Sequence, residues 1–274
     1  MKNIKEWNPA SLLQSPLFAP LHPVLSRCSP VKFPAIVDWN KQLSGYFKGI
    51  CTKSGHSLRF VPQEQGKLGF ESQYEPRCYL NGEVQTRENN WHDLFNALVW
   101  LTFPKAKAAI NARHYQALKN VHDGHSQRGK VRDMVTLLDE SGVIVVCANA
   151  ELAELLCNFR WKELFWIKRE AVRTAMGFYI FGHGLYEKAL APYIGMTGQG
   201  LIMAVADEFF NWDLPEQLSY LDVRLAEYIN DPQHCVSSSE LHPVPLLGVP
   251  GWTSENSNED YYANTSYFRS GRQN

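Results

Sequence analysis

The chain has 274 residues, is 45% hydrophobic and carries a formal net charge of −1. That is enough apolar material for a full core, in one large domain or two small ones, and the near-neutral balance excludes a general attraction to nucleic acid or anionic membranes. The longest apolar runs, Val143 to Ala148 and Leu201 to Ala206, fall far short of the roughly 20 residues of a membrane helix. The first residues lack the charged-then-apolar pattern of a secretory signal, so no membrane partner and a cytoplasmic location are expected. Cys28, Cys51, Cys78, Cys147, Cys157 and Cys235 are scattered with no C-x-x-C pair. This spacing fits reduced thiols better than a disulfide framework or a zinc site.

In chain order, residues 1–34 hold six prolines and little periodicity, which predicts an extended arm over the surface. A helix is expected at 35–48, with Ile36, Val37, Leu43, Tyr46 and Phe47 as its apolar side. Leu58 to Val61 reads as a strand and Arg77 to Arg87 as a hairpin turning at Asn81-Gly82, residues that tolerate positive φ. Asn90 reads as the N-cap of a helix, with Asp93 as capping-box partner, running to Leu101 and stopping before Pro104. Pro104 opens a second helix that lasts to about His122 and ends at Gly124. Met134 to Leu138 and Val143 to Cys147 are predicted as a further hairpin around Asp139-Glu140-Ser141-Gly142.

Helices are expected at 150–158 and 161–169, then a strand at 172–181 and a helix from Leu185 stopped by Pro192. Leu201 to Ala206 reads as a strand and Pro215 to Ile229 as an amphipathic helix. From Asp231 to the end regular structure is sparse, but the aromatic content argues for an ordered strap. The organisation is therefore an arm over 1–34, a single domain over 35–230, and a strap over 231–274 completing it. Helices and hairpins alternate without strand–helix–strand regularity, so the fold class is α+β.

Several strings together carry a resemblance. They are Arg87-x-x-Asn90-Trp91-His92-Asp93-Leu94-Phe95-Asn96-Ala97-Leu98-Val99-Trp100 with Phe103-Pro104, Arg132-Asp133 with Thr136-Leu137, and Trp161-x-x-Leu164-Phe165-Trp166. Phe181-Gly182-His183 with Glu187-Lys188, Leu247-Gly248-x-Pro250-Gly251-Trp252, Asn256 and Phe268-Arg269 complete the set. From about residue 58 to the C-terminus the chain resembles a bacterial, largely proteobacterial, family catalogued as a domain of unknown function, number 3025 in that series. The resemblance implies a soluble bacterial protein and brings no activity with it. Members often carry acidic residues after the aromatic pair near the C-terminus, where this chain has Tyr261-Tyr262-Ala263-Asn264.

Two polar strings stand out within apolar surroundings, where titratable groups cost folding energy unless satisfied. His92 and Asp93 fall at the second and third positions of a helix, where free backbone N–H groups favour a neutral imidazole able to act as a base. Packing and capping explain the same residues without chemistry. His183 lies between two glycines at a strand-to-helix junction, a place that admits a close backbone or an anion. Glu187 follows four residues later, the spacing of an acid–base pair or of two metal ligands, and Lys188 comes next.

His122-Asp123-Gly124-His125 reads as a helix end in a polar loop rather than a metal cluster. Between 105 and 132 there is a local charge of +6, from Lys105, Lys107, Arg113, Lys119, Arg128, Lys130 and Arg132 against Asp123. This excess could meet phosphate, with Arg128 and Arg132 the better grips because a guanidinium binds bidentately. In the tail, Trp252, Asn256, Tyr262 and Arg269 suit stacking and hydrogen bonding of a ring, or else anchor the strap.

The leading expectation is an enzyme, a hydrolase or group transferase, acting on a small anionic, phosphate-containing substrate. His92 and His183 would supply acid–base chemistry oriented by Asp93 or Glu187. Arg128, Arg132, Lys188, Trp252, Asn256, Tyr262 and Arg269 would bind the substrate. No organic cofactor motif occurs and no metal ligand set is assigned. The alternatives are a non-catalytic RNA- or nucleotide-binding protein using the basic 105–132 segment, and a metal-dependent hydrolase using His183, Glu187 and His92. A meeting of the two histidine rings across a cleft would favour chemistry; wide separation would make both structural anchors.

Overall fold

The computed structural model of the protein describes residues 6–66, 69–123 and 129–271. At the N-terminus the prolines that suggested an extended arm instead start short helices, because a proline has no N–H to lose in a first turn. Pro9–Leu13 (α1), a 3₁₀ turn over Pro16–Leu21 and His22–Leu25 (α2) follow one another, and Leu17, Phe18, Leu21, Val24 and Leu25 are buried. Ile36–Gly45 (α3) packs Trp39 and Leu43 inward.

The expected hairpin at 77–87 is not formed. Tyr74–Asn81 is a helix (α4), and Gly82 ends it in the left-handed conformation at φ 71°. Asn-Gly thus serves as a helix terminus, for the same tolerance of positive φ that a hairpin turn would have used. The chain after Gly82, Glu83–Thr86 (β2), runs parallel to Arg59–Pro62 (β1).

Trp91–Thr102 (α5) begins at Asn90, whose side chain accepts from Asp93 N at 3.0 Å, and ends ahead of Pro104. Asp93 does not return the bond as a capping box would; its carboxylate takes Arg87 instead, at 2.6 Å from the backbone N and 2.9 Å from Nε. Pro104–His122 (α6) follows as expected. Gly124, its predicted stop, lies outside the described residues, as do His125 and Arg128.

The second expected hairpin is also absent, since 130–141 is helical. Lys130–Ser141 (α7) buries Met134, Val135 and Leu138, and only at Gly142 does the strand Gly142–Cys147 (β3) begin. Ala150–Cys157 (α8) leads to a π-helical turn over Glu163–Ile167, then Arg169–Ala175 (α9) and Met176–Ile180 (β4). His183–Ala189 (α10), Thr197–Ala204 (β5), Leu214–Asn230 (α11) and His242–Pro245 (β6) complete the elements that the site depends on.

The main sheet has the order β4-β3-β5-β6, with β3 parallel to β5 and the outer pairs antiparallel. Every residue of β3 is buried, as a central strand covered on both faces should be. The fold is α+β, with a mixed sheet where hairpins were predicted. Among the described residues no helix is long and apolar enough to cross a membrane.

Phe18 packs on both α5 and α10: its ring lies 5.7 Å from Phe95 and 5.7 Å from Tyr186, which also stack on each other at 5.7 Å. The N-terminal segment thereby covers the junction of those two helices. The C-terminal strap is latched by side chains on backbone. Buried Asn256 donates to Leu247 O and Val249 O at 3.0 and 2.7 Å, and Tyr262 donates to Gly248 O at 2.9 Å.

Candidate functional site

Three helix ends converge on one point. The first turn of α5 brings His92, the last turn of α7 brings Asp139 and Glu140, and the start of α10 brings His183 and Glu187. The glycines around His183 make this approach feasible. A Cβ on Gly182 would overlap the backbone of Glu140, Ser141 and Gly142, and one on Gly184 would overlap the Glu140 carboxylate. The feature that suggested close approach of a backbone or ligand is thus occupied by the end of α7.

The histidine rings do meet. Nε2 of His183 lies 3.0 Å from Nε2 of His92, with ring centroids 4.5 Å apart. Glu140 Oε1 lies 3.4 Å from His183 Nε2 and 3.9 Å from His92 Nε2. On the far side of each ring stands a second carboxylate: Glu187 Oε2 is 3.2 Å from His92 Nδ1, and Asp139 Oδ2 is 3.7 Å from His183 Nδ1. The buried His183 Nδ1 has no hydrogen-bond partner. Asp139 is held from its other oxygen by the buried Lys107.

This arrangement orders the protons. Carboxylates at both Nδ1 atoms favour N–H there, which leaves lone pairs on both Nε2 atoms. Two lone pairs and the Glu140 carboxylate then face one another, an arrangement that needs a proton or a cation among them. A point equidistant from three atoms at these separations lies about 2.0 Å from each, the length of a Zn–N or Zn–O bond. Among the described residues, His92, Glu140 and His183 form the only cluster with metal-ligand proximity.

The carboxylates are poised to stay ionised. The hydrogen-bonding contact with His183, opposed by burial, holds the Glu140 carboxyl below its ordinary range. Burial pushes Asp139 up, but Lys107 and His183 more than cancel it and the net direction is down.

The site opens on a cavity of about 240 Å³ lined by Gln63, Tyr74, Glu75, Gln85, Arg87, His92, Asp93, Asn96, Asp139, Glu140 and His183. Of the predicted residues, His92, His183 and Glu187 come together, and Asp93 lines the same cavity while bound to Arg87. Glu187 serves His92 across the helix pair rather than His183 on its own helix. Arg132 does not line this cavity, and Lys188 is exposed on α10. Trp252 packs edge-on against Phe178 at 6.4 Å, and Asn256 and Tyr262 are strap latches. Arg269 lines a different cavity of about 470 Å³, walled by Phe159, Trp161, Pro243, Pro245 and Tyr267 among others.

Within the basic 105–132 segment, Lys107 is consumed by Asp139 and Arg113 donates to His234 O at 2.7 Å, so the excess is not one continuous outward face. Sequence reasoning missed Asp139, Glu140, Glu75 and Asn96. The signal for the first two was present: Val131, Met134, Val135 and Leu138 repeat at helical spacing, which places the two acids at the end of a helix.

No curated protein and no solved structure matches the chain. The family model described as "Protein of unknown function (DUF3025)" matches residues 58–272, a span that includes every residue of the histidine–carboxylate cluster. The chain therefore belongs to the DUF3025 family.

Proposed function

We propose that the protein is a metal-dependent hydrolase in which His92 Nε2, His183 Nε2 and Glu140 Oε1 hold one divalent cation. The observation that carries this reading is the convergence of three electron-pair donors at 3.0, 3.4 and 3.9 Å. Two imidazoles and a carboxylate suit zinc, and the same set suits non-haem iron. A cation held by these three residues would supply an acidified water for hydrolysis near neutral pH.

Glu187 holds the His92 ring through its Nδ1, and the Asp139 carboxylate, 3.7 Å from His183 Nδ1, favours the same tautomer there by its charge alone. The cavity admits a small substrate. Its lining offers little to a phosphate, because Arg87 is already bound to Asp93.

The test is a panel of small esters, amides and phosphoesters offered to protein loaded with Zn²⁺, Mn²⁺ or Fe²⁺. Hydrolysis of at least one class should vanish with a chelator, return with the metal, and be absent from His183→Ala. A metal-independent activity that survives His183→Ala would overturn the reading. The 3.0 Å Nε2···Nε2 separation also favours a second reading, an acid–base histidine pair sharing one proton. Under it, activity would be lost in His183→Ala but indifferent to chelator.

A further inference from the structure

The charges around the cavity are not all accounted for by the cluster. Asp93 is neutralised by Arg87 and Asp139 by Lys107, while Glu140 and Glu187 face the histidines. Glu75 is the remainder. It lines the cavity and makes no ion pair among the described residues; its one side-chain bond takes Asn111 Nδ2 on Oε2 at 2.6 Å.

Beside it is a second unsatisfied group. Asn96 is 7% exposed, lines the same cavity and donates through Nδ2 to Tyr74 OH at 2.7 Å, yet its Oδ1 has no hydrogen-bond partner. A buried acceptor without a donor costs about 1–3 kcal/mol, so a ligand that supplies the donor recovers it.

Asn96 follows His92 by four residues on α5, so the two share a face one helical turn apart, about 5–6 Å between Cβ atoms. Glu75 and Tyr74 begin α4. Tyr74, Glu75 and Asn96 all line the cavity, so a phenol, a carboxylate and an amide lie a short step from the histidine cluster. Oxygen acceptors with one uncompensated negative charge match the three donors and the single positive charge of an –NH₃⁺ group. A carboxylate or phosphate placed there would lie against Glu75.

We infer that Asn96, Glu75 and Tyr74 form a subsite for a primary ammonium group of the substrate, about one helical turn from the bond that reacts. The position of the reacting bond rests on the hydrolase reading; the ammonium subsite does not. An amine-bearing ester or amide is then the substrate class.

The experiment is a ¹H–¹⁵N NMR titration of the full chain, after chelator treatment, with n-butylammonium, n-butanol and butyrate. Butylammonium should bind at least tenfold more tightly than the other two and shift the Tyr74, Glu75 and Asn96 resonances. Glu75→Gln and Asn96→Leu should each weaken it at least tenfold; if the leucine variant fails to fold, Glu75→Gln alone decides. Butyrate binding as tightly as the amine, no amine binding, or amine binding that leaves those resonances unmoved would overturn the subsite. Since the titration uses metal-free protein, a chain that shows this pattern but takes up no metal would keep the subsite and lose the hydrolase reading.

Discussion

At the residue scale the two glycines around His183 separate fold from chemistry. Gly182 lies against the backbone of Glu140, Ser141 and Gly142, which cannot yield without moving α7. Gly182→Ala should therefore destabilise the protein by about 1–3 kcal/mol, the usual cost of overpacking, read as a lowered midpoint in urea. Gly184 lies chiefly against the end of the flexible Glu140 side chain, with the Glu140 backbone O at 3.1 Å from an added Cβ. Gly184→Ala should leave the urea midpoint nearly unchanged while weakening metal binding at least tenfold, because Glu140 must swing out of the cluster. Equal losses of stability in both variants would contradict this division.

Lys107 and Asp139 make the complementary case. Their side chains are 4% and 13% exposed, so Lys107→Met leaves an unmatched buried carboxylate and should cost about 3–5 kcal/mol. Asp139→Asn should instead act mainly on metal affinity, lowering it by about 10–100-fold as partners of ligand histidines do. Isothermal titration with Zn²⁺ beside urea unfolding measures both. His92, His183 and Glu187 were legible in the sequence because a histidine with a carboxylate in an apolar segment needs a reason to be there. Asn96 was not, since one amide in a buried helix gives no sign of which of its atoms lacks a partner.

At the scale of elements, the start of α6 is fixed by another helix. Asp222 of α11 accepts from Ala106 N at 2.8 Å and Lys105 N at 3.1 Å, binding N–H groups that the first turn of α6 cannot satisfy itself. Burial pushes its carboxyl up to about 6, against the pull of those two N–H bonds and of Lys105. The folded state thus binds this proton more tightly than the unfolded chain does. The group's stabilising contribution is full below the ordinary carboxylate pKa and is lost as pH rises through about 6. Melting temperatures from pH 4 to 7 should show a fall that Asp222→Asn flattens, whereas Asp222→Ala should also lose about 0.5–2 kcal/mol of capping. An unchanged pH profile in Asp222→Asn would contradict the assignment.

The two expected hairpins fail for one cause. Arg77 to Arg87 and Met134 to Cys147 read as hairpins because of their glycines and polar turn residues, yet both glycines, Gly82 and Gly142, mark the end of a helix and the start of a strand. Turn chemistry of this kind tells where an element stops, not which kind of element it was. The helices with unambiguous periodicity and proline or asparagine starts, α5, α6 and α11, were legible for the opposite reason.

At the scale of the whole molecule, the site depends on segments far from it in sequence. Phe18 packs on the junction of α5 and α10, and α7 enters the cluster where it runs into β3, a mid-sheet strand. The strap closes a different face, with its own cavity at Arg269, and takes no part in the cluster. Neither strand order nor this division could be read from local patterns, because both depend on long-range pairing.

The claim that unites these scales is that the histidine–carboxylate cluster is a metal centre. Metal content of the untagged protein, measured by inductively coupled plasma mass spectrometry after equilibration with a mixture of divalent cations, tests it directly. One transition-metal ion per chain is expected, absent from His92→Ala, His183→Ala and Glu140→Gln. Sub-stoichiometric metal in the wild type, or a full complement retained by the histidine variants, would contradict it.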